Sequence, residues 1–166
     1  VYMPHCYFVN SHKTVIGGRE DEIMLANEDE RNALRAKYGI HPSAFVFCCH
    51  SRPDKIDPAT FRSWMRALMR IRSEAKNGSE LPSRPVLWLL RSGEEMEQNL
   101  RQWLRREFGQ DADDCLVFAD VAERNEHLKR LGIADVFLDT PAYNAHTLGC
   151  GESIFVTILF LFISFL

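Results

Sequence analysis

Four short, continuously apolar runs alternate along the chain with longer segments in which apolar residues recur every three or four positions. The runs are AFVFCCH (44–50), PVLWLLRSG (85–93), CLVFAD (115–120) and DVFLDT (135–140). Polarity confined to their ends predicts parallel strands covered on both faces. Between the first two, Phe61, Trp64, Met65, Leu68 and Ile71 fall at helical intervals, with Asp57 as N-cap and Pro58 in the first turn. Met96, Leu100, Trp103 and Leu104 repeat the pattern. Glu94 and Glu95 at the start of that segment and Arg105 and Arg106 near its end both suit the helix dipole. ERNEHLKRLG predicts a shorter helix closing at Gly132, and EDERNALRAKYGI one more, turned to the sheet through Leu34 and Tyr38. Strand and helix in regular alternation predict an open α/β domain, a parallel sheet with helices on both faces.

The two ends depart from this pattern. Residues 1–20 read as the close of a preceding unit followed by a connector, and the opening Val-Tyr-Met-Pro-His reads as the start of a fragment. Residues 154–166 are almost continuously apolar and carry no charge. A helix over 151–166 would reach roughly 24 Å, short of the ~30 Å hydrocarbon thickness. The ending is therefore read as aberrant and aggregation-prone, with a buried strand or helix and a short tail anchor as the other readings.

Composition narrows the classes. At 166 residues and 46% hydrophobic, the chain is long enough for one domain with its own core. A formal charge of -3 without a dense basic block gives no reason to expect nucleic acid as a partner. The RRE stretch at 105–107 and the pair Lys129 and Arg130 read as solvated helix faces. Five cysteines, odd in number and without a CxxC, support neither a disulfide framework nor a zinc module. Cys48 and Cys49 read as buried strand residues rather than nucleophiles.

In open α/β sheets ligands bind beyond the carboxyl ends of the strands. That rule selects CCHSRPDKIDP, RSGEE, ADVAERNEH and DTPAYNAHTLGCG. There is no P-loop and no GxGxxG. A helix starting near Thr147 to Gly149 would offer unpaired N–H groups to an anion, with Thr147 and His146 adding side-chain donors. The same residues would also serve as an ordinary turn and cap. Arg52 and Lys55 lie beyond the first strand and could face the same anion, or be surface charge, with Lys55 paired locally to Asp54 or Asp57. Arg124 and His127, three apart, would share a helical face beyond the third strand. His50, His127 and His146 have no compact spacing for a metal.

Taken together and in order, VYMPHCYF, KIDPATF, VLWLLR, VAERNEHLKRLGIADVFLDT and YNAHTLG resemble the protein O-linked N-acetylglucosamine transferases, in the nucleotide-binding half of their catalytic region. The resemblance runs from about residue 1 to residue 149 and is strongest over 115–149. It implies a partial GT-B C-terminal Rossmann-like lobe over 21–150, preceded at 1–20 by the end of the other catalytic lobe and followed at 151–166 by an aberrant hydrophobic tail. It also implies metal-independent, inverting transfer of N-acetylglucosamine from its uridine diphosphate donor, UDP-GlcNAc, to serine or threonine hydroxyls of proteins, with UDP as product. The implied companions of this lobe are the other catalytic lobe and tetratricopeptide repeats, and the implied location is cytoplasmic or nuclear.

The resemblance also implies site residues. Lys55 matches the diphosphate-contacting lysine of the KIDP motif, His127 a histidine of the uridine pocket, and Arg124 stands in place of a lysine beside it. His146 and Thr147 match the diphosphate loop, with Gly149 closing on it; Lys55, His146 and Thr147 are the implied catalytic set, as stabilisers of the leaving diphosphate. The departures are Arg52 for a glutamine, Leu148 for a second threonine and Gly151 for a ribose-binding aspartate. Losing the last two contacts is expected to weaken donor binding, and the isolated chain is expected to be inactive. A noncatalytic nucleotide-binding or partner-interaction module remains the alternative.

Overall fold

The structure, a computed structural model, describes residue 25, residues 27–141 and residues 157–159. Its elements are α1 (Glu28–Lys37), β1 (Phe45–Cys49), α2 (Pro58–Lys76), β2 (Pro85–Leu90), α3 (Glu94–Phe108), β3 (Leu116–Ala119), α4 (Arg124–Leu131), β4 (Val136–Leu138) and β5 (Thr157–Leu159). Short 3-10 turns at Pro53–Lys55 and Gln110–Cys115 join β1 to α2 and α3 to β3.

All strand pairs are parallel, in the order β3-β2-β1-β4-β5. Phe47 pairs with Leu87 on one side and with Val136 on the other, so β1 lies in the middle of the sheet. The four expected strands form where the apolar runs predicted them. A fifth, β5, pairs with β4 within the final apolar segment.

The strand period of two sorts the core into two layers. Val46, Cys48, Val86, Trp88, Ala119 and Phe137 face one side, where Leu128 and Leu131 of α4 pack with Leu34 of α1 and Tyr38 at its C-cap. Phe47, Cys49, Leu87, Leu89 and Phe118 face the other, against Phe61, Trp64, Met65 and Leu68 of α2 and Leu104 of α3. Continuous apolar runs follow from this geometry, because both faces of each strand are covered.

Local signals set the helix ends. The Asp57 carboxylate accepts the N–H groups of Ala59 and Thr60 at 2.8 and 3.0 Å, capping α2. Gly93 and Gly109 bracket α3 with φ of +84° and +88°, a region that costs a Cβ-bearing residue strain. Among the described residues no helix is long and apolar enough to cross a membrane.

Candidate functional site

The chain runs β1, β2, β3 outward in one direction and then returns to place β4 on the other side of β1. This reversal is a topological switch point, and the crevice beyond the carboxyl ends of β1 and β4 is where such sheets take ligands. Three buried polar residues mark it: His50 and Ser51 just past β1 and Thr140 just past β4, at 1%, 0% and 0% exposure. Among the described residues neither ring nitrogen of His50 has a hydrogen-bond partner, and neither does Ser51 Oγ. Unmet polar atoms at this depth are uncommon in folded proteins.

The loop after β1 carries the first cationic pair. Arg52 is exposed and its guanidinium grips Asp54, with Nε–Oδ1 at 3.1 Å and Nη2–Oδ2 at 2.7 Å. Asp54, anticipated as a local partner of Lys55, is thus gripped by Arg52. Lys55 is half-buried at the end of the 3-10 turn, its N–H bonded to the Arg52 carbonyl. Asp57 engages two N–H groups of the α2 start as well as the Thr60 hydroxyl, at 2.5 Å. The two helix amides that Asp57 engages are thereby already occupied at the start of α2.

Beyond β3, Arg124 opens α4 and is exposed, whereas His127, one turn on, is half-buried. The Lys129–Arg130 pair, expected on a solvated face, divides. Lys129 stays at the surface and pairs with Glu30. Arg130 is 2% exposed, which corrects the surface reading. Its Nη1 donates to the Asp120 carbonyl at 2.7 Å and its Nη2 lies 3.1 Å from His127 Nδ1. The Arg130 guanidinium also sits 6.0 Å from the Tyr38 and Trp88 ring centroids. It has no ion-paired carboxylate among the described residues. The reason it turns inward is positional: Leu128 and Leu131 commit that face of α4 to the sheet, and a long side chain between them can reach the carbonyl at the end of β3.

His50 connects the two loops. Its ring meets Trp88 edge-on at 4.3 Å and lies 5.5 Å from His127, tilted by 33°. Burial, then the charge of Arg130, holds His127 down to about 4. Burial, Arg130 and His127 push His50 well below the ordinary imidazole range. Both imidazoles are therefore neutral near pH 7, and the cluster's positive charge resides on Arg130. A cleft of about 400 Å³ opens beside it, lined by Tyr38, Arg91, Asp120, Val121, Ala122 and Arg130 among others.

The described residues therefore bring Arg52, Lys55, Arg124 and His127 to one edge of the sheet, with His50, Ser51 and Arg130 as members that sequence reasoning did not assign. The spacing of His127 and Arg130, again three apart, was the available signal for the last. His146, Thr147 and Gly149, with Leu148 and Gly151, lie outside the described residues. Among the described residues no three His, Cys, Asp or Glu side chains gather to hold a metal ion. Cys48 and Cys49 are buried in opposite core layers, as expected.

Comparison with known proteins gives concordant matches. The model of glycosyl transferase family 41 matches residues 28–156. The probable UDP-N-acetylglucosamine–peptide N-acetylglucosaminyltransferase SEC of Arabidopsis thaliana is 34% identical over 149 residues, 90% of this chain and 13% of the plant protein. The UDP-N-acetylglucosamine–peptide N-acetylglucosaminyltransferase of Caenorhabditis elegans is 36% identical over 115 residues, 69% of this chain. The chain spans 9% of that nematode protein's length.

Proposed function

Because the chain belongs to glycosyl transferase family 41, we propose that its carboxyl-edge loops bind the nucleotide of a UDP-N-acetylglucosamine donor. In this reading the longer polypeptide transfers the sugar to serine or threonine hydroxyls of proteins, with inversion at the anomeric carbon. The observation that carries the proposal is the buried guanidinium of Arg130, without an ion-paired carboxylate among the described residues, beside neutral His127 at the switch point. A buried cation of this kind suits a polar, electron-rich ligand.

The division of labour follows the two loops. Lys55 faces the diphosphate, together with His146, Thr147 and the backbone at Gly149, and Arg52 adds charge at the entrance. His127, Arg130 and Arg124 serve the nucleoside side. As the bond from the anomeric carbon to the donor diphosphate breaks, negative charge grows on the leaving group. Lys55, His146 and Thr147 stabilise that charge electrostatically; none is assigned as general base. The acceptor proteins, and a cytoplasmic or nuclear setting, belong to the same proposal.

Titration of this chain with uridine diphosphate and with uridine tests the assignment. Lys55→Ala is expected to weaken the diphosphate at least tenfold and uridine by less than threefold, since only one of them carries phosphate. Equal losses would indicate general damage and remove Lys55 from the site. Gly151→Asp is expected to strengthen both nucleoside ligands if the ribose contact is what that position lacks. Peptide glycosylation is then compared between this chain and a polypeptide extended to the length of the plant relative. Binding without transfer in either would favour a noncatalytic nucleotide-binding module.

A further inference from the structure

At the amino edge of the sheet, opposite the loops assigned to the nucleotide, a second cleft of about 400 Å³ opens where β1, β2 and β3 begin. Its size falls within the range of roughly 300–1,000 Å³ that small-molecule sites occupy. Ala44, Val86 and Val117 give it an apolar floor. Three cations, Arg72, Lys76 and Arg84, stand there against one carboxylate, Asp114.

The three cations are not equivalent. Arg72 is committed to the protein: its Nη1 donates to the Asp111 carbonyl and to Asp114 Oδ1, both at 2.7 Å, and its Nη2 to Asp114 Oδ2 at 3.2 Å. That pair neutralises the cleft's carboxylate. Lys76, in the last turn of α2, and Arg84, just before β2, are exposed, and among the described residues neither side chain pairs with a carboxylate.

The negative ends close to them are already engaged. Glu74, on the same turn as Lys76, is held by Arg70 at 2.7 Å. The Glu74 and Ala75 carbonyls that close α2 accept the N–H groups of Asn77, Gly78 and Ser79. Arg84 is fixed in place through its carbonyl, which takes the Phe45 N–H at 3.0 Å where β1 and β2 start to pair. His41 adds a donor at the rim: the Ser43 N–H donates to its Nδ1 at 3.2 Å, so the ring proton lies on Nε2.

Two uncompensated cations over an apolar floor suit a dianion joined to an apolar body. A phosphate monoester has that form, with a charge of about −2 near pH 7 and three acceptor oxygens. We propose that this cleft binds a small organic phosphate, with the phosphoryl oxygens at Lys76 and Arg84 and the organic part against Ala44, Val86 and Val117. The proposal is independent of the nucleotide reading, which concerns the other edge of the sheet.

Amide NMR of the 166-residue chain, titrated with phenyl phosphate at fixed ionic strength near pH 7, is the test. Saturable shifts are expected at Gly39, Ser83 and Val117. Inorganic phosphate, which lacks the apolar part, is expected to bind about tenfold more weakly, and phenol, which lacks the charge, to leave these amides unmoved. Lys76→Gln combined with Arg84→Gln, both at exposed positions, is expected to raise the dissociation constant about tenfold, whereas Lys55→Ala at the opposite edge changes it by less than about twofold. Shifts confined to the loops around Lys55 and His127 would overturn the assignment, as would unchanged affinity in a folded double variant. Phenol binding as well as phenyl phosphate would remove the role of the cations. Inorganic phosphate binding as tightly as the ester would remove that of the floor. Failure of UDP to shift the carboxyl-edge amides in the same sample would sink the nucleotide reading and leave this one standing.

Discussion

Arg35 donates to Asp135 Oδ2 at 3.0 Å, and the same oxygen accepts the Val46 backbone N–H at 2.7 Å. One ion pair thereby ties α1 to the start of both β1 and β4, the two strands that flank the switch point. Arg35 is 3% exposed and also donates to the carbonyls of Ile133, Pro42 and Ala44. Removing it takes a donor from three carbonyls at once, while Asp135 keeps the Val46 N–H and its pair with Arg31.

Arg35→Met is therefore expected to cost about 3–5 kcal/mol of stability, the range for breaking a buried pair by deleting one partner. Urea unfolding measures it. A loss under about 1 kcal/mol would mean that the carbonyls find other partners and that this tie is dispensable.

Acid is expected to unfold the protein partly through its histidines. His127 is held down to about 4 by burial and then Arg130, and His50 lies well below the ordinary value for the same first cause. The unfolded chain takes up these protons near pH 6.5, so it binds more protons than the folded one below that pH. Stability should fall as pH drops from about 6.5 toward 4. His127→Gln should flatten that slope, and an identical slope in the variant would refute the assignment.

Cys115 behaves in the opposite sense. Burial pushes its thiol up to about 11, against the attraction of Arg72. Alkylation of the folded protein at pH 8 should be slow at this position and should accelerate at least tenfold on unfolding. Because the unfolded thiol ionises first, stability should decline from about pH 9 to about 11, a decline that Cys115→Ser would reduce.

Asp57 offers a milder test. Asp57→Ala removes the α2 cap and should cost about 1 kcal/mol, whereas Asp57→Asn should cost less. The bond from the Thr60 hydroxyl, with backbone N–H donors, lowers the carboxyl below its usual range. The cap's charge-dependent contribution is thus present above the unfolded carboxylate value, near 3.9, and disappears as pH falls through the lower folded one. Thermal unfolding at pH 7 and pH 2.5 separates the two contributions: the difference between native protein and Asp57→Ala should shrink at the lower pH.

The sequence by itself determined the elements and their class. Runs such as Val46–Cys49 and Val86–Leu89 are apolar at every position because both faces of the sheet are covered, and their short length suits a buried strand better than a helix. Asp57 followed by Pro58, and Gly93 ahead of two glutamates, declare helix starts through backbone chemistry that needs no tertiary contact. The rule that parallel sheets gather loops at one edge then placed Lys55 and His127 on the same side of the molecule.

Which strands are neighbours was decided only in the folded structure. Chain order cannot say that β4 returns to the far side of β1, because that choice depends on how the helices and strands bury one another across the whole sheet. The same holds for Arg130. Its charge reads as a surface residue until the Asp120 carbonyl, His127 and two aromatic rings are assembled around it from β2, β3, α1 and α4. The burial of His50 is likewise a consequence of Trp88 and His127 closing on it. Periodicity reports which face of an element is apolar; whether a polar side chain on that element is solvated or enclosed depends on partners distant in sequence, and only the tertiary fold supplies them.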